Sequence, residues 1–227
     1  MQTNIIRTKI TGHDQQQFNL KELSKQKNIW VLTPIFGILV FVVLYIVAAL
    51  LYPGGSQGDK NSVGFSWVNN YWCNLLNGKA INGQSNPAKP VAVTAMIILC
   101  FTLSIFWFLF ARHIEIGKRL QLIIQISGTL SMINAFLLLA NINHDLAINI
   151  ASSFGAIATI GTFIGLYKNK LYLLFAFGLM IIILVILNNY VYYTKGLIIY
   201  LPVIQKISFA AFLIWICCID INLYRRS

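Results

Sequence analysis

The sequence predicts an all-α membrane protein, six transmembrane helices with an amphipathic helix in the first outer loop, and three observations carry that prediction. Of 227 residues, 58% are hydrophobic and 10% are charged, with a mean hydropathy of +0.72; soluble domains carry about 25% charged residues. Crossing about 30 Å of hydrocarbon takes about 20 apolar residues, and runs near that length occur at 29–52, 87–111, 120–141, 146–167, 171–190 and 201–222. Tyr52 to Pro90 is the one long polar interruption between Ile29 and Leu223. The resulting organisation is a cytoplasmic tail 1–28, a membrane domain 29–222 with an outer loop 53–86, and a cytoplasmic tail 223–227.

Orientation follows from charge. The net charge is +11, but the basic residues sit at span ends and not along one basic face, which speaks against nucleic acid as a partner. Twelve of the seventeen lysines and arginines lie in segments 1–28, 112–119, 168–170 and 223–227, which places both termini in the cytoplasm of a plasma or inner membrane. The 28 residues before the first apolar run, and the length of that run, read as an uncleaved signal anchor. Cys73 alone of the four cysteines falls in the outer loop, so no structural disulfide is expected.

Taken in order, residues 1–28 contain too few apolar side chains for a core; Phe18, Leu20 and Leu23 are enough only for a short surface helix. In the first span, Thr33-Pro34 predicts a kink, because proline removes a backbone donor. In the outer loop, Phe65, Val68, Trp72, Leu75 and Leu76 recur at helical spacing, with asparagines on the other face. This predicts a helix that starts at Ser62, ends at Asn77-Gly78 and buries its Phe65/Val68/Trp72 face.

The second span opens at Asn86-Pro87, a helix-start signal. Ser127, Ser131, Asn134 and Asn141 form a polar stripe on the third span, which must face the bundle because unpaired polar groups are costly in hydrocarbon. The fourth is rich in small residues, with Ala151/Gly155 and Gly161/Gly165 spaced for close packing, and is expected at the centre. A tight outer turn, Asn141 to Asp145, separates the two. The fifth is almost purely aliphatic and reads as lipid-facing, ending at Asn188-Asn189-Tyr190. In the sixth, Lys206 lies about 6 Å inside the outer end at 1.5 Å per residue, within snorkelling reach of the surface.

No convergent set of His, Asp, Glu or Cys suits a metal, no nucleophile elbow is present, and no cofactor motif appears. A transporter finds support in intramembrane polar groups, but the two sets of three spans show no repeat. The Tyr52-Pro53-Gly54-Gly55 entry to the loop, the Asn86-Pro87-Ala88 exit and the six-span layout resemble the DRAM-like six-helix membrane proteins and their bacterial relatives. That resemblance implies a membrane protein without established catalytic activity that modulates membrane or lipid state. The expectation is a non-catalytic protein that binds a lipid, small molecule or partner protein at its outer face; a small-solute transporter comes second and a membrane-embedded lipid hydrolase last. Candidate ligand-binding residues are Trp67, Asn70, Trp72, Asn134, Asn141, His144, Asp145, Asn188 and Lys206, with Asp145 as the expected counter-charge of Lys206 in a polar pocket between the third and sixth spans.

Overall fold

The computed structural model describes residues 29–137 and 144–226. Six α-helices carry the fold: α1 (Thr33–Leu51), α2 (Ala88–His113), α3 (Lys118–Leu137), α4 (His144–Lys168), α5 (Tyr172–Tyr193) and α6 (Leu201–Arg226). Short 3-10 turns precede α1 at Ile29–Leu32 and α6 at Ile198–Tyr200. Five helices are long and apolar enough to cross a membrane. The other is α3, whose first turns carry Lys118, Arg119, Gln121 and Gln125, which lowers its hydropathy.

Pro34 does not kink a helix. It occupies the first turn of α1, after the 3-10 turn, where its missing N–H would have had no intrahelical partner. At the start of α2, Asn86 acts as the expected cap: its Oδ1 accepts the Ala88 N–H at 3.1 Å.

Consecutive helices pack on one another, and α6 also packs on α1 and α2. Among the described residues α2 packs on α1, α3 and α6, whereas α4, the helix expected at the centre, packs on α3 and α5, and its small residues serve its seam with α3. There Ser131 Oγ donates to Ala151 O at 2.8 Å, and a Cβ on Gly161 would lie 2.5 Å from Ile124. The aliphatic α5 shows most of its surface to the outside, as expected of a lipid-facing helix.

Glycine repeats this device across the bundle. Gly37 of α1 leaves room for Thr102 of α2, and Gly128 of α3 leaves room for the Trp107 ring of α2. Gly178 of α5 accommodates Phe163 of α4 and Trp215 of α6, with an added Cβ 2.6 and 2.8 Å away from them. Without a hydrophobic force between helices in lipid, such close backbone approach supplies the van der Waals contact that holds a bundle together. At the other end from the loop, Asn169 Nδ2 donates to Glu115 O at 3.0 Å, and Arg112 stacks on Phe108 at 4.2 Å.

Candidate functional site: the outer loop cap

Residues 52–87 fold as an ordered cap stitched by asparagine side chains. The expected loop helix survives only as the 3-10 turn Trp72–Leu76. Its facial assignment holds in part: Phe65, Trp72 and Leu76 pack against the core and Leu75 is 0% exposed, but Val68 is 60% exposed and Asn70 and Asn74 are 0% and 6% exposed. The cause is competition between asparagine side chains and helical backbone bonds. Asn70 Oδ1 accepts the Ser66 N–H at 2.8 Å, Asn70 Nδ2 donates to Gly55 O at 2.9 Å, and Asn74 Oδ1 accepts the Tyr71 N–H at 2.7 Å. Serving the backbone draws these two amides inward.

Asn86 closes the cap from its other end. Its Nδ2 donates to Asn77 O at 2.9 Å, to Leu75 O at 3.2 Å and to Asn74 O at 3.3 Å. Gly54 and Gly55 have φ of +143° and +83°, a region costly for side chains. A Cβ on Gly55 would also meet Asn82 N at 2.3 Å. The expected helix start at Ser62 is absent, because the Ser62 hydroxyl donates to Asp59 O at 2.9 Å within a turn.

Under this backbone lies an aromatic layer. Trp72 packs on Tyr45 of α1 at 4.7 Å and on Phe209 of α6 at 6.4 Å, and Trp67 meets both Phe65 and Trp72 edge-on. Such edge contacts suit ring quadrupoles. The Trp72 indole N–H is buried without a hydrogen-bond partner. Trp67 is 49% exposed and Val63 95%, so the cap shows apolar side chains at its surface.

Lys206 joins α6 to the cap. Its ammonium donates to Asn70 O and to Pro202 O at 3.0 Å, and it lies 5.7 Å from the centre of the Phe65 ring. Among the described residues its hydrogen-bond partners are carbonyl oxygens of the loop and of its own helix. The counter-charge expected for it, the Asp145 side chain, lies outside the described residues. Cys73 is near enough to feel Lys206; burial pushes its thiol up, while its backbone hydrogen bond and then Lys206 pull it back.

The structure thus brings Trp67, Asn70, Trp72 and Lys206 together. Asn188 lies on the same pair of helices as the lysine, where its Nδ2 bonds the Ser208 hydroxyl and Leu184 O. Asn134 turns back to Leu130 O on its own helix at 2.7 Å. Asn141 and the side chains of His144 and Asp145 lie outside the described residues; the backbone of 144–145 belongs to the first turn of α4. Sequence reasoning missed Asn74 and Asn86 as the stitching residues, though seven asparagines within the loop 53–86 were a visible signal.

The class defined by this geometry is an integral, multi-pass helical membrane protein with an ordered polar cap at one end. Comparison with known proteins yields no match, whether to a protein family, to a curated protein or to a solved structure.

Proposed function

We propose that this chain is a non-catalytic membrane protein that binds an outer-leaflet lipid through its cap, the anionic headgroup against Lys206 and the acyl chains along the apolar side chains at its surface. The supporting observation is the Lys206 ammonium, held at the cap by two carbonyl oxygens with no carboxylate paired to it among the described residues. Two of its three N–H donors are used, and a phosphate oxygen suits the third. Trp67 and Tyr71 on the cap have the amphipathic character favoured at headgroup depth. In this reading α3 also crosses the bilayer, both termini are cytoplasmic and the cap faces outward. Membership of the DRAM-like group remains part of the same proposal, since it implies action on membrane or lipid state.

The test is lipid retention by the purified protein in bilayer discs of mixed zwitterionic and anionic lipid, read by native mass spectrometry. Lys206→Met should lose most of the bound anionic lipid, Lys206→Arg should keep it, and Lys195→Met, which changes an exposed loop residue, should behave as wild type. Equal retention by all four proteins sinks the proposal. A transporter has one observation in its favour, the buried carboxyl of α6. The stripe residues Ser127 and Asn134 bond their own helix, and Ser131 bonds its neighbour, so they offer little to a solute. A lipid hydrolase stays last.

A further inference from the structure

Asp220 stands far from the cap, in the last third of α6. By helix rise it is about 21 Å along the axis from Lys206 and about 9 Å short of Arg226. It is 0% exposed, and its neighbours on the helix, Ile216, Ile219 and Leu223, are no more than 2% exposed. Both carboxyl oxygens lack a hydrogen-bond partner, and so does the buried Oδ1 of Asn222, two residues further on. The two carboxyl oxygens thus have no donor, and the Asn222 oxygen, on a different face of the helix, has none either. Buried polar groups are almost always satisfied, and an unpaired ionised carboxylate is the costliest exception.

Among the described residues no basic side chain pairs with it. The 3-10 turn Ile29–Leu32 carries no ionisable side chain. At the same end of α2, Arg112 is stacked on Phe108 and His113 bonds Leu109 O. On α5, Tyr172 packs on Tyr167. On α6 itself, the Cys217 thiol is within electrostatic reach and brings no positive charge, and the Tyr224 phenol lies one turn on. What this site lacks is a small, positively charged species or a donor.

We propose that Asp220 is a proton-binding site of the inner half of the membrane domain, its carboxyl neutral in this closed bundle and able to exchange its proton when the end of α6 takes in water. Ionisable residues within spans mark ion and proton pathways when they face the protein interior, and Asp220 does so from the side opposite the cap. A proton removes the largest cost: one oxygen becomes a hydroxyl, and no net charge stays buried.

Infrared spectroscopy of the protein in bilayer discs tests this through the carboxylic-acid carbonyl band. Wild type at neutral pH should show a band that is missing in Asp220→Asn and displaced in Asp220→Glu; the Glu variant keeps the test decisive if the Asn variant does not fold. The band should vanish in alkaline buffer, return when neutral pH is restored, and ignore exchange of sodium for potassium or choline. Identical wild-type and variant spectra would overturn the proposal by showing an ionised carboxylate. A band that appears only when alkali cations are withdrawn would give the site to a metal cation instead, and one that never responds to pH while the protein stays folded would leave a fixed acid with no exchangeable proton.

Discussion

Asn86 shows how much one buried amide can hold. Its oxygen caps α2, and its nitrogen gathers the carbonyls of Asn74, Leu75 and Asn77. Replacing it with alanine abandons a helix cap and three buried or half-buried carbonyls at once, so Asn86→Ala should cost about 3 kcal/mol. Asn77→Ala, which removes an exposed side chain and leaves its backbone carbonyl, should be near neutral. Denaturation of the detergent-solubilised proteins separates the two. Asn86→Asp keeps the cap oxygen and loses the donors; if it matched wild type, the three carbonyl contacts would contribute nothing.

Between neighbouring helices, glycine decides whether the packing closes. Gly178 is the clearest case, because Phe163 and Trp215 converge on it from opposite partners. Gly178→Leu should force α4, α5 and α6 apart and cost about 1–3 kcal/mol, the usual range for overpacking. Gly196→Ala, in the loop before α6, faces open space and should leave the melting temperature unchanged. Equal melting of the two variants would mean that the seam is loose enough to absorb the side chain. The helices themselves were legible in the sequence because a span is written in composition: the expected 171–190 became Tyr172–Tyr193, and 87–111 became Ala88–His113. The loop helix was not, because its apolar spacing competed with asparagine side chains whose choice of backbone partners depends on the folded turn. Of the candidate site, Trp67, Asn70, Trp72 and Lys206 were legible as polar or aromatic residues at an interface, but the bond from Lys206 to Asn70 spans 136 positions, and no local pattern encodes it.

For the molecule as a whole, charge and cap make one claim about orientation. In the proposed orientation twelve of seventeen basic residues lie on the cytoplasmic side and the cap faces outward, which makes its Cys73 a reporter of sidedness. Cys73 has an exposed surface, Cys100 is buried, and Cys217 and Cys218 lie in the second half of α6. A membrane-impermeant maleimide applied to intact cells should therefore label wild type at Cys73 and leave Cys73→Ser unlabelled. Because burial pushes this thiol up more than Lys206 pulls it down, labelling should be slower than for a free thiol at neutral pH and gain rate as the medium is made alkaline, since the thiolate is the reacting form. Labelling of Cys73 only after permeabilisation, beside a surface control that labels at once, would reverse the topology. The Lys206 cap would then face the cytoplasm and Asp220 the outside.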